Sequence, residues 1–222
     1  MINSENFEHP WMRKMDKESG ELIWAVIKKT NAKSILDAGC GTCVLYDFLI
    51  EKGWEGIYYG IDIKRYEGVD YSRENLYFIK ADLLKVDFPK VDVVVMKDIL
   101  EHVDEPIKLL KKALKCSKRV VLFIPLANPD LWKMGICEYH QLDKTHKHFG
   151  FLEEDIFEIV NEAGGEIISF AHMCPLTPLN CSRFFKSRFA KYVIFVLMKI
   201  LGYRKFYQEM FLEIEGKNGN RA

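Results

Sequence analysis

Four stretches of this 222-residue chain bring together side chains that can do chemistry. In the first, Asp37 ends a short apolar run, Ile35-Leu36, and the chain breaks into Gly39-Cys40-Gly41. Two glycines one residue apart let a backbone turn sharply and approach a ligand with no Cβ in the way. In the second, Asp62 closes IYYGID 21 positions after Gly41, the spacing at which a carboxylate takes a ribose hydroxyl pair in nucleotide-binding sheets. The third stretch is Lys97-Asp98-Ile99-Leu100-Glu101-His102. The fourth is CEYHQLDKTHKHFGF at 137–151, which holds His140, Asp143, His146 and His148. A neutral imidazole, with a pKa near about 6.5, can accept a proton at neutral pH. His140 and His146 are therefore the leading candidates for a general base, with Glu101 and His102 behind them. The rival use of the fourth stretch is a divalent ion held by His146, His148 and Asp143, which would acidify a hydroxyl; our reading assigns no metal.

These residues need a scaffold that gathers them. The segment VLYDFLIEKG after the glycine turn reads as a helix stopped by Gly53. Strands are expected at 57–62, 76–80, 91–96, 119–124, 166–172 and 209–216. Helices are expected at 17–29, 104–115 and 153–163, with Asp104 as N-cap of the second and Pro106 in its first turn. VDVVVM and RVVLFI are almost continuously apolar, as strands are when helices cover both faces of a parallel sheet. The result is a doubly wound α/β sheet, and ligands of such sheets bind beyond the carboxyl ends of the strands. Asp37, Asp62, Asp82 and the run from Lys97 to His102 therefore belong to one crevice. A dinucleotide fingerprint wants a third glycine where Val44 stands, which counts against a nicotinamide oxidoreductase. Two carboxylates suit a cationic nucleoside better than a pyrophosphate, whose charge they would repel.

The ordered motifs LDAGCGT (36–42), YYGIDI (58–63), KADLLKVDFP (80–89) and VDVVVMKDILEHVDEP (91–106) resemble the class I S-adenosylmethionine-dependent methyltransferases, in particular the small-molecule group with an LDxGCG turn. The resemblance runs from about Ala32 to Ser169. It implies a mostly parallel, seven-stranded, Rossmann-like sheet whose last strand is antiparallel and inserted between its two predecessors. It implies S-adenosylmethionine as cofactor, with Asp37, Gly39 and Gly41 along its methionine end. Asp62 would take the ribose hydroxyls, Ile63 would lie beside the adenine, and Asp82 and Leu83 would border that ring. Cys40 and Lys97 complete the candidate cofactor contacts. An LEHV-like run is common in this family whatever the substrate, which favours a structural use of Glu101 and His102. Methyl transfer from a sulfonium expels a neutral thioether, so the demands are alignment of the acceptor and, for a hydroxyl, loss of its proton. The expected reaction is O-methylation of a small acceptor such as a sugar, a lipid-linked sugar or another metabolite. A non-catalytic member that only binds cofactor or membrane is the remaining alternative.

Composition narrows the partners. Lysine plus arginine and aspartate plus glutamate each number 32, so no global basic field recruits nucleic acid. The Asn/Asp-Pro-Pro-Tyr/Phe signature of amine methylation on nucleobases is replaced by KDIL at 97–100. Six scattered cysteines without a leading signal peptide fit a reducing cytoplasm. Cys40 and Cys43 form a C-x-x-C with no second pair, and small fillers in and beside the turn are the simpler reading. One domain over 1–222 is expected, with a helical cover at 1–31 whose Phe7, His9 and Trp11 are lid candidates. The segment 182–205 carries seven basic and no acidic residues and sets Phe185, Phe189, Val193, Val196 and Ile200 on one helical stripe. It either packs on the domain as a helical insertion or makes peripheral contact with an anionic membrane.

Overall fold

The computed structural model describes residues 14–129, 143–175 and 207–217, together with positions 189, 192, 193, 196 and 200. Its elements are α1 (Lys17–Thr30), β1 (Ser34–Ala38), α2 (Val44–Glu51), β2 (Ile57–Asp62), β3 (Leu76–Lys80), β4 (Val91–Lys97), a 3-10 turn (Leu100–His102), α3 (Pro106–Cys116), β5 (Ser117–Pro125), α4 (Glu153–Glu162), β6 (Gly165–Pro175) and β7 (Tyr207–Gly216). They build one seven-stranded sheet in the order β3-β2-β1-β4-β5-β7-β6. The first five strands pair in parallel, and β7 lies antiparallel between β5 and β6. This is the doubly wound, mostly parallel sheet that the sequence predicts.

Strand alternation divides the core between the two faces. Ile35, Val93, Val95, Val121 and Phe123 meet Ile23 and Ile27 of α1 and Leu45 and Leu49 of α2 on one side. Leu36, Val94, Met96, Val120 and Leu122 meet Leu109 and Leu110 of α3 and Ile156 and Val160 of α4 on the other. Central strands buried on both faces need apolar residues at successive positions, which explains the unbroken runs in β4 and β5.

The caps fix where the helices begin. Asp16 accepts from the Ser19 N–H at 2.8 Å to start α1, and Asn31 ends it in the left-handed region at φ 50°. The Leu152 N–H donates to Asp155 at 3.0 Å at the start of α4. For α3 the expected Asp104 cap is corrected. The helix begins at Pro106 with Glu105 as the preceding residue, because proline's fixed φ and missing N–H suit the first helical position. Asp104 instead forms an ion pair with Lys147.

Several sequence expectations fall outside the described residues: the lid candidates Phe7, His9 and Trp11, the base candidate His140, and most of 182–205. The described positions of that last segment are all helical, and Phe189 and Ile200 are 76% and 73% exposed. No helix among the described residues is long and apolar enough to cross a membrane.

Candidate active site

The glycine turn is tied to the end of β2. The Gly39 and Cys40 N–H groups donate to the Ile61 carbonyl at 2.8 and 3.2 Å, and the Gly41 N–H donates to Asp62 Oδ2 at 2.8 Å. The other Asp62 oxygen accepts from the Lys64 N–H at 2.9 Å. One carboxylate thus aligns the turn after β1 with the turn after β2, while Ile63 beside it is 64% exposed. Gly39 (φ 85°) and Gly41 (φ 51°) take left-handed backbone angles that other residues rarely adopt. A Cβ on Gly39 would lie 2.8 Å from Ile99 Cδ1, so the segment after β4 packs directly on the turn.

Below the turn, Asp37 is buried and accepts a hydrogen bond from the Tyr58 hydroxyl. Burial pushes its carboxyl up to about 7; the Tyr58 hydrogen bond opposes this and the Asp62 charge reinforces it. Asp37 therefore supports the turn from underneath. Cys40 and Cys43 are also buried, and a Cβ on Gly60 would lie 2.8 Å from one sulfur and 3.2 Å from the other. The adjacent Cys43 thiol, and then burial, raise the pKa of Cys40 far above the usual thiol range, which keeps it a neutral filler.

Two tyrosines brace the site without having been singled out in the sequence. Tyr58 holds Asp37, and the Tyr71 hydroxyl donates to the Gly41 carbonyl at 3.2 Å while its ring packs at a tilt against Phe78, 4.1 Å between ring centres. Strand alternation was the available signal for Tyr58, because Tyr58, Gly60 and Asp62 share a parity and Gly60 is paired with Asp37. On the third strand's exit, Asp82 caps the Leu84 N–H at 2.9 Å, and Leu83 is buried in the core.

Lys97, at the end of β4, is committed to carboxylates. Its Nζ lies 2.7 Å from Asp98, 3.0 Å from Glu209 of β7 and 3.9 Å from Asp16. Burial works against its charge, but Asp98 and Glu209 outweigh burial and raise its pKa above the usual lysine range. Glu209 was not legible as a site residue, since its contact with Lys97 spans 112 positions.

Beyond Lys97 the structure joins the third and fourth stretches. The Glu101 carbonyl accepts from the Lys147 and His148 N–H groups at 2.8 and 3.1 Å, which docks the 143–151 connection onto the 3-10 turn. His102 and His146 meet edge to face with ring centres 4.5 Å apart. His102 Nδ1 is 3.2 Å from both the carbonyl and the hydroxyl oxygen of Thr145. The Glu101 side chain is 1% exposed and its Oε2 finds no hydrogen-bond donor among the described residues. Burial, then the nearby Asp98 charge, raise its pKa well above the carboxylate range. One ligand-capable atom each from Glu101, His102 and His146 lie within 4.8 Å of one another. His148 turns away, with Nε2 3.1 Å from the Val103 carbonyl. Asp143 caps Thr145 at 2.8 Å and reaches His146 at 3.9 Å. Glu101 and His102 thus gather around His146, with Asp143 of the rival set beside it, while His148 of that set turns away.

Sheet order, glycine turn and strand-end acids define a protein of the doubly wound α/β class, whose ligands bind beyond the carboxyl ends of the strands. Residues 11–169 match the family described as "Methyltransferase domain", and the chain belongs to that family. It is similar to the malonyl-[acyl-carrier protein] O-methyltransferase of Neorickettsia risticii, 28% identical over 130 residues that cover 57% of this chain and 51% of that protein. The chain therefore spans about half the length of the curated relative it matches. Two solved structures share the fold. Magnesium protoporphyrin IX methyltransferase from Synechocystis, with bound SAH, has a TM-score of 0.59 at 19% identity, covering 90% of this chain and 83% of that one. A SAM-dependent methyltransferase from Archaeoglobus fulgidus has a TM-score of 0.58 at 19% identity, covering 88% and 93%.

Proposed function

We propose that this chain transfers the methyl group of S-adenosylmethionine to a hydroxyl oxygen of a small acceptor. The observation that carries the reading is the single carboxylate of Asp62, which locks the glycine turn to the end of β2 beside an exposed Ile63. The residues fit the cofactor: an acid at the end of β2 can accept from ribose hydroxyls, an apolar side chain stands bare beside it, and left-handed backbone at Gly39 and Gly41 makes the tight turn that an amino-acid tail would follow. When bound, S-adenosylmethionine supplies an electrophilic methyl on a sulfonium. In this reading Asp62 accepts from the ribose, Ile63 covers one face of the adenine and Asp82 with Leu83 edges it. Gly39, Cys40 and Gly41 present backbone to the methionine portion, while Asp37 and Lys97 hold the strand ends in place behind them.

The acceptor lies over Glu101, His102 and His146. Ile99 packs on Gly39, so the cluster begins two residues from a contact with the turn. These side chains align the acceptor hydroxyl and manage its proton, as His140 of the same connection would from outside the described residues. Incubation with methyl-labelled S-adenosylmethionine and a panel of hydroxyl, amine and thiol metabolites tests the reading. Label is expected in an ether or ester oxygen product, with S-adenosylhomocysteine released in equal amount; label only on nitrogen or sulfur would overturn the oxygen assignment.

We also propose that segment 182–205 rests on an anionic membrane surface. Phe189 and Ile200, two members of its apolar stripe, are largely exposed, and the segment's seven basic and no acidic residues complement anionic headgroups. The protein is expected to sediment with anionic but not with neutral liposomes. Equal sedimentation with both, or with neither, would leave a packed helix as the better description.

A further inference from the structure

We infer that Glu101, His102 and His146 form a binding site for one divalent transition-metal cation, which holds the acceptor through two neighbouring oxygen atoms. The inference rests on the methyl-transfer reading only for the identity of the second ligand; the cation site stands on the geometry of the three side chains.

Three observations carry it. The first is composition: two imidazoles and one carboxylate offer ligand atoms within 4.8 Å of one another. Three ligands about 2.0 to 2.2 Å from one ion stand about 3 to 3.7 Å from one another, so a closure of at most about 2 Å completes the site. The second is the carboxylate itself. Glu101 is 1% exposed and its Oε2 has no donor among the described residues, an arrangement that is costly for an oxygen left without a partner. The neighbouring Lys97 directs its hydrogen bonds elsewhere, to Asp98 at 2.7 Å and to Glu209 at 3.0 Å. A metal ion would give that oxygen the partner it lacks among the described residues. The third is orientation. His102 Nδ1 lies 3.2 Å from the Thr145 carbonyl, and a ring N–H donated there fixes the tautomer that leaves the Nε2 lone pair for a metal.

The ligand set also selects the ion. Imidazole with carboxylate favours manganese, iron, cobalt or zinc over magnesium or calcium, which prefer all-oxygen shells. Three protein ligands leave coordination positions open, and an acceptor with two adjacent oxygens, such as a vicinal diol or a hydroxy acid, would fill two of them. Bound in this way, the acceptor hydroxyl loses its proton to water more readily. The oxygen lone pair then forms the O–CH3 bond as the S–CH3 pair returns to sulfur, giving a neutral thioether. The cation keeps its charge throughout, so no oxidant or reductant is needed.

Tag-free protein stripped with EDTA and titrated with Co2+ provides the test, read by visible ligand-field absorption. One equivalent is expected to bind, and His102→Asn and His146→Gln are each expected to weaken binding tenfold or more. Glu101→Gln is expected to do the same, with circular dichroism used to establish that each variant is folded. Absence of stoichiometric Co2+ uptake, or variants that bind as tightly as the parent, would overturn the site. S-adenosylhomocysteine affinity measured on the same stripped protein separates the two readings, since it is expected to be unchanged by EDTA. Cofactor binding without cobalt binding ends the metal inference alone, and cobalt binding without cofactor binding ends the methyl-transfer reading alone.

Discussion

Asp62→Ala is expected to weaken S-adenosylhomocysteine binding tenfold or more. Hydrogen bonds to a charged group contribute about 1.5 to 3 kcal/mol, and each 1.4 kcal/mol is a factor of ten in affinity. The carboxylate has two uses in this structure, and alanine removes both. It would no longer accept from the ribose, and it would no longer hold the Gly41 N–H at 2.8 Å or the Lys64 N–H at 2.9 Å. The turn would then lose its registration against β2, so some folding stability should go with the affinity. Asp62→Asn separates the two effects. Its amide oxygen can still accept from Gly41, which should restore most of the thermal stability, while the lost charge and second acceptor still weaken the cofactor. Calorimetry on both variants, with melting curves alongside, checks this. Unchanged affinity in a folded Asp62→Ala protein would mean that the cofactor's sugar is held elsewhere.

The second large effect is a pH dependence that originates at Asp37. Its carboxyl is raised from 3.8 to about 7, chiefly by burial. A group raised in this way favours the folded state while protonated in both states, and that contribution is lost as pH climbs through the folded value. The window is therefore from about pH 4 to about pH 7, and the displacement corresponds to at most about 4 kcal/mol. The groups facing it are the Tyr58 hydroxyl, the Asp62 charge and the Cys40 and Cys43 thiols, none of which supplies a cation. Asp37→Asn preserves the shape and an acceptor for Tyr58 but cannot ionise. Denaturant unfolding at pH 4 and pH 8 is expected to show near-equal stabilities at the lower pH and a variant more stable by several kcal/mol at the higher. Other buried carboxyls such as Glu101 affect both proteins alike, so the difference between them isolates Asp37. Parallel pH profiles would show that Asp37 ionises freely in the folded protein.

Elements whose information is local were legible in the sequence. The runs at 91–97 and 117–125 announce central strands because burial on both faces leaves no polar position, and Gly39 and Gly41 announce the turn because their φ values exclude most side chains. The insertion of β7 between β5 and β6 came from the family resemblance, since periodicity says nothing about strand order. What stayed hidden depends on pairs distant in the chain. Lys97 reads as a candidate cofactor contact at a strand end until Glu209 is placed beside it by the antiparallel pairing of β7. Asp37 reads as a mouth residue until Tyr58, on the neighbouring strand, covers it. Glu101 with His102, and His146, were recognised as separate candidates. The backbone bonds from Lys147 and His148 to the Glu101 carbonyl, with the contacts of His102 to Thr145 and of His148 to Val103, bring them into one cluster.

Isothermal calorimetry of the unmodified chain against S-adenosylhomocysteine and, separately, against NADH probes the crevice most directly. Binding of one equivalent of S-adenosylhomocysteine, at least a hundredfold tighter than any binding of NADH, is the expected result. Saturable binding of NADH with no heat from S-adenosylhomocysteine would contradict the assignment of the glycine turn and Asp62 to a methyl donor.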